Sequence, residues 1–378
     1  MSKILTYLIN NQHDIEETLL QLVEAESPSK NKMLTDKCGL VLKESFETLV
    51  GGKVEIIEKE AVGNQYRFTY GDGTETEQIL IIGHYDTVWD QGAIPIRKED
   101  GKLYGPGTFD MKGGLAVTLW ALKALKEFGH FGKRKVVFLV TSDEEIGSEH
   151  SRALIEEEAR KSEMVFVPES SISHSGAVKT FRKGIGIFKL IVHGKSVHAG
   201  IDPWSGASAI DELALQIADI KSLDNKEEGV SINIGTISGG TRTNVVAGYA
   251  EADIDLRFRT KDQAHELEHA LLDRSSFIKG TMVEMQGGIN RYPLEKTDSV
   301  MGLYQQMKEI ALRHGYELEQ GSSGGASDGN LTAGLGIPTI DGLGPVGDGA
   351  HAENEHVVLE NLPYRAALIA ELIKRNSR

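Results

Sequence analysis

The sequence predicts an α/β protein in which one domain, a mixed sheet flanked by helices, is interrupted by an inserted α+β domain of antiparallel sheet and two helices. Three observations predict this. The apolar runs at 79–82, 136–140 and 164–167 read as buried strands, and helical patterns separate them. From about 181 to 289 the strand patterns alternate instead, as in an antiparallel sheet covered on one face. After Arg291-Tyr292-Pro293 the α/β character returns. The expected division is 1–180 and 291–378 for the first domain and 181–290 for the insert.

The bulk numbers agree with this division. At 378 residues the chain is long for one core. Its 41 basic and 56 acidic residues give a net charge of −15, which argues against a nucleic-acid surface. One cysteine, Cys38, rules out an intrachain disulfide. No apolar run approaches the ~20 residues of a membrane helix, and the start lacks a secretion-signal pattern, so the expected location is the cytoplasm.

Apolar residues at helical spacing over 8–23 predict the first helix, ended by Ser27-Pro28-Ser29. A second helix reaches about 49. Strands follow at 54–57 and 66–70, with Gly71-Asp72-Gly73 as a turn. The strand at 79–82 runs into Gly83-His84-Tyr85-Asp86-Thr87-Val88. A glycine-rich loop, Gly105-Pro106-Gly107-Thr108-Phe109-Asp110-Met111-Lys112-Gly113-Gly114, precedes a helix at 115–128. The strand at 136–140 runs into Thr141-Ser142-Asp143-Glu144-Glu145-Ile146-Gly147-Ser148 and a helix at 148–161. The strand at 164–167 ends in Pro168-Glu169-Ser170. Polar groups at the carboxyl ends of successive strands are where α/β folds build sites. In the insert, alternating strands are expected at 185–192, 231–237, 250–259 and 281–286, with helices near 205–220 and 261–272. A helix near 299–314, a loop at 324–329, a short strand at 338–340, a loop reaching Ala350-His351-Ala352 and a helix near 362–374 complete the chain.

His84, Asp86, Asp110, Glu144, Glu145, Glu169 and His351 form the chemical set. Two imidazoles and three carboxylates can hold two divalent ions with one carboxylate bridging, an arrangement suited to Zn2+ and also to Co2+ or Mn2+. The segments quoted around these residues, together with Ser196-Val197-His198-Ala199-Gly200, resemble the M20 family of dinuclear metallopeptidases, closest to its glutamate carboxypeptidase branch, over nearly the whole chain.

That resemblance implies a role for each residue. His84, Asp110 and Glu169 would bind one ion; Asp110, Glu145 and His351 the other, with Asp110 bridging. Asp86 would orient His84, and Glu144 would be the general base, serving a metal-bound hydroxide. A cis peptide is implied after Asp110. The insert would be a lid and dimerisation domain, giving a homodimer through its helix and edge strand. From it, His198 would stabilise the oxyanion, and Arg257 and Asn244 would meet the substrate as the lid closes. Gly325 and Ser327, in Gly324-Gly325-Ala326-Ser327-Asp328, would line a carboxylate pocket. The implied reaction is hydrolysis of an amide beside a free carboxylate, on a small peptide or an N-acyl amino acid. An N-acyl-amino-acid deacylase is the alternative enzyme; a catalytically inert binding or assembly protein is the alternative of another class. Where the branch carries a basic residue selecting C-terminal glutamate, this chain has a Gly or Gln of the stretch Gln286-Gly287-Gly288-Ile289-Asn290, followed by Arg291.

Three other motifs fail on their neighbours. His265-Glu266-Leu267-Glu268-His269 matches a helical zinc signature, but Ala264, Leu267 and Leu271 form that helix's apolar face and leave the histidines outside it. Gly194-Lys195-Ser196 lacks the opening glycine of a phosphate loop, and Gly184-Ile185-Gly186 lacks the third glycine of a dinucleotide fingerprint; Lys189 stands where each is needed. Cys38 has no base nearby in sequence to activate it.

Overall fold

In the computed structural model, which describes residues 2–73, 78–130 and 132–377, the three apolar runs are the strands Gln78–His84, Val136–Thr141 and Ser162–Val167. Every position of the first two is buried. All three are parallel neighbours, with Gln78–His84 in the middle. His84 pairs with Thr141 at the strand ends, so the polar segments that follow leave the sheet at one edge. The chain divides into two units, Met1–Phe181 with Lys296–Ser323 and Ser327–Arg378, and Arg182–Glu295 with Gly324–Ala326.

The sheet of the first unit has eight strands. Lys53–Ile57 and Gln65–Tyr70 extend it antiparallel on one side. On the other, Thr339–Asp341 lies parallel to Ser162–Val167 and antiparallel to Val178–Arg182, and Gln320–Ser323 closes the order. The helices Gly113–Glu127 and Leu362–Asn376 pack together in this unit, with Lys3–Asn10 against both. A small four-stranded sheet joins Gly347–Asp348, His356–Val358, Lys102–Tyr104 and Arg97–Glu99.

In the second unit the antiparallel order is Ser231–Gly239, Tyr249–Phe258, Gly184–His193, Met282–Arg291. Alternation is clearest along Tyr249–Phe258, where every second residue from Ala250 to Phe258 is buried. Its inward side chains share a core with Leu213 and Ile220 of the helix Ala209–Lys221 and Ala264, Leu267 and Leu271 of Lys261–Leu272.

Two local expectations were too simple. The first helix is two, Lys3–Asn10 and Gln12–Glu24, because Asn11 leaves helical geometry and returns its side-chain amide to the Tyr7 carbonyl at 2.8 Å. The helix expected from Ser148 begins at Arg152. Ser148 takes a left-handed φ of 59°, its N–H bonds the Asp143 carbonyl at 2.8 Å and its hydroxyl bonds Asp328.

Candidate active site

The site is built at the sheet edge where Gln78–His84 and its neighbours end. His84 is 1% exposed. Its Nδ1 lies 3.0 Å from the Asp86 carbonyl and 3.4 Å from Asp86 Oδ1. In the neutral ring a proton on Nδ1 satisfies these acceptors and leaves the Nε2 lone pair facing the site. Nε2 is buried without a hydrogen-bond partner among the described residues, although Asp110 Oδ1 and Glu169 Oε1 each lie 3.3 Å away.

Asp110 lies in a wide turn, Thr108–Lys112, that opens into the helix Gly113–Glu127. The Asp110–Met111 peptide is cis. The turn starts at Gly107, whose φ is 73° and whose missing Cβ would sit 2.7 Å from Thr87 Cγ2. At Gly114 a Cβ would lie 1.7 Å from the Pro168 carbonyl, so only glycine lets this helix start approach the segment carrying Glu169. The two oxygens of Asp110 face opposite ways: Oδ1 toward His84, and Oδ2 toward His351 Nε2 at 3.6 Å. His351, in left-handed conformation at φ 60°, also meets Glu145 Oε2 at 3.0 Å. Ligand atoms of His84, Asp110 and Glu145 all lie within 4.8 Å of one another.

The charges report the same clustering. Burial works against a charged His84, but Asp110, Asp86 and Glu169 outweigh it and hold its imidazole well above the usual value. Burial also works against a charged Asp110, and His84 and then His351 overcome it, keeping this carboxylate well below its usual range. Glu145 is pushed up to about 7, chiefly by burial and against the pull of His351. The Glu145 contact, foremost, raises His351 to about 9. Protons here neutralise a packed set of carboxylates. Together with the unpartnered Nε2 of His84, this donor set fits divalent cations, with imidazole nitrogen and carboxylate oxygen as ligands.

Asp86 organises more than His84. Its carboxylate accepts from Ser29 Oγ at 2.7 Å and from the backbone N–H groups of Glu144 and Glu145, both at 3.3 Å. It therefore fixes the turn in which the two glutamates diverge. Ser29 was missed in the sequence because Ser27-Pro28-Ser29 read only as a helix stop; the Thr87 N–H bonds the Ser27 carbonyl and the Ser29 N–H bonds the Thr87 carbonyl, tying that stop to the His84 loop.

The remaining expected residues are described within their own units. His198 and Asn244 come together in the second unit, where the Ala199 N–H bonds the Asn244 carbonyl at 2.9 Å and His198 pairs with Val245. Arg257 lies on Tyr249–Phe258 and makes two bonds to Asp255, at 2.7 and 2.8 Å. Gly325 also belongs to the second unit. Ser327, in the first, is 1% exposed; its hydroxyl donates to Asp341 at 2.6 Å and accepts from the Gly329 N–H at 3.1 Å. His265 and His269 are exposed on their helix, His265 beside the Tyr292 hydroxyl.

No helix among the described residues is long and apolar enough to cross a membrane. The sequence model of peptidase family M20/M25/M40 matches residues 80–375. Carboxypeptidase G2 of Pseudomonas sp. (strain RS-16) is 29% identical over 312 residues, covering 80% of this chain and 74% of that one. Succinyl-diaminopimelate desuccinylase of Acinetobacter baumannii (strain AYE) is 30% identical over 314 residues, 77% of this chain and 81% of that one. Among solved structures, aminopeptidase PepT from Bacillus cereus ATCC 10987 superposes with a TM-score of 0.76 at 25% identity, covering 97% of this chain and 99% of that one.

Proposed function

Because the chain belongs to peptidase family M20/M25/M40 and is a metallopeptidase, we propose that it hydrolyses an amide bond adjacent to a free carboxylate, as a carboxypeptidase or dipeptidase. The observation that carries this reading is Asp110, one carboxylate whose two oxygens face two different imidazoles. His84, Asp110 and Glu169 would hold one divalent ion; Asp110, Glu145 and His351 would hold the other, with zinc the first candidate. When bound, the pair would supply Lewis acidity, polarising the carbonyl and acidifying water.

The chain's own residues do the rest. Asp86 keeps the His84 proton on Nδ1 and sets the Glu144–Glu145 turn. Glu144 takes a proton from the attacking water and delivers it to the leaving amine. His198 stabilises the oxyanion, Asn244 and Arg257 bind substrate, and Gly325 and Ser327 belong to the loop that shapes its pocket. Asp255 occupies two of the five N–H donors of Arg257, which orients the guanidinium and leaves others for a substrate carboxylate. Arg257→Ala is expected to raise KM by about 10- to 100-fold, the cost of a charge-assisted hydrogen bond, with little change in kcat.

Deacylation of an N-acyl amino acid is the second reading, favoured by the likeness to desuccinylases. A hydrolysis screen of the chelator-stripped and metal-reconstituted protein tests both. Metal-dependent cleavage of dipeptides or carboxyl-terminal residues supports the first; cleavage of N-succinyl or N-acetyl amino acids alone replaces it with the second.

A further inference from the structure

Glu355 has no part in the roles above, yet its carboxylate joins two of the segments that carry the cluster, the His84 loop and the Asp110 turn, to a third, that of His351. It is 1% exposed and accepts four hydrogen bonds. Oε1 takes the backbone N–H groups of Phe109 and Asp110, both at 3.0 Å. Oε2 takes the Gly107 N–H at 3.1 Å and the Trp89 indole N–H at 2.9 Å. Trp89 stands on the loop that begins at His84. Gly107, Phe109 and Asp110 are the turn that presents the shared carboxylate. Glu355 itself lies four residues after His351.

The surrounding backbone holds the same segments together. The Gly105 N–H bonds the Glu355 carbonyl at 3.3 Å, and His356–Val358 pairs with Lys102–Tyr104. The His351 segment turns back through Glu355 N–H to the Ala352 carbonyl at 2.9 Å. At Gly349 a Cβ would sit 2.9 Å from Glu355 Cα, so only glycine lets the chain pass this close to Glu355. A carboxylate accepting four N–H donors in a buried place is charge-assisted and directional. Replacing it with an apolar side chain would leave four donors without a partner, one of them the N–H of Asp110 itself.

We propose that Glu355 is a positioning residue: it clamps the Asp110 turn and the His351 segment in register and so sets the affinity for the second divalent ion. The inference rests on the two-ion reading above. Its direction follows from which ligands Glu355 holds. The second position takes Asp110 and His351, both tied to Glu355, along with Glu145. The first takes Glu169 and the buried His84, whose ring Asp86 holds and whose loop reaches Glu355 only through Trp89, and shares Asp110.

The test titrates chelator-stripped wild type, Glu355→Ala, Glu355→Gln and Trp89→Phe with Co2+, reading ions bound per chain, the dissociation constant of each step and the visible absorption of the bound ion. Glu355→Ala is expected to bind the first ion close to wild type and the second about 10- to 100-fold more weakly, the usual cost of losing a partner that orients a ligand. Its activity should return as Co2+ is raised, with KM unchanged at saturating metal. Glu355→Gln should fall between, because its amide oxygen replaces one acceptor while its NH2 meets donors; Trp89→Phe, losing one bond, should fall closest to wild type. A folded Glu355→Ala with wild-type affinity for the second ion, or with both ions weakened alike, overturns the inference. Should Glu355→Ala not fold, Glu355→Gln decides by the same readings. Wild type binding fewer than two ions overturns the two-ion reading, and this inference with it.

Discussion

Glu144→Gln is expected to lower kcat by about 1,000-fold, within the range for removing a general base, while metal content stays that of wild type. The side chains of Glu144 and Glu145 are neighbours with different tasks. Glu145 turns to His351, 3.0 Å away, and is a ligand in this account. Glu144 heads the same short turn, Glu144–Ile146, with its N–H on Asp86 Oδ1. Glutamine keeps the size and the backbone anchor and removes the basic oxygen. Steady-state kinetics beside metal analysis of the same samples measures the effect. Substantial activity in a metal-replete Glu144→Gln protein would remove this residue as the base.

Asp110→Ala is expected to have the larger consequence for the cluster, because one carboxylate serves both positions. Activity should fall below detection at any metal concentration that saturates wild type. Thermal stability gives an independent reading. An ion that binds only the folded chain stabilises it by about 2.7 kcal/mol at a hundredfold excess over Kd. Wild type should therefore melt higher with added metal, and Asp110→Ala should melt at one temperature with or without it. A metal-dependent shift that survives intact in Asp110→Ala would mean that Asp110 is not a shared ligand.

That these side chains would cluster was legible because the fold presents them at predictable places. Gln78–His84, Val136–Thr141 and Ser162–Val167 are built on apolar runs that can be read from hydrophobicity alone. Their neighbouring register then brings His84, Glu145 and Glu169 to one sheet edge. The alternation of the second unit was equally readable, since one face of Tyr249–Phe258 is buried and the other is not.

What escaped the sequence was held by backbone rather than by pattern. Glu355 meets the N–H groups of residues 245 to 248 positions away, which leave no side-chain signature. Ser29 looked like punctuation and proved to be a partner of Asp86. The strands Arg97–Glu99 and Lys102–Tyr104 are three residues each, and the first is fully exposed and charged, so hydrophobic period gave them no weight. Asn11 interrupts one expected helix with a local side-chain bond to the Tyr7 carbonyl, and Ser148 delays another, its hydroxyl tied to Asp328, 180 positions away.

In the two-ion reading one carboxylate, Asp110, is shared by two ions between His84 and His351. Counting ions per chain after equilibrating chelator-stripped protein with Zn2+ tests it most directly, with His351→Ala measured alongside. Two ions are expected in wild type and one in His351→Ala. One ion or none in wild type, or two retained in His351→Ala, would contradict it.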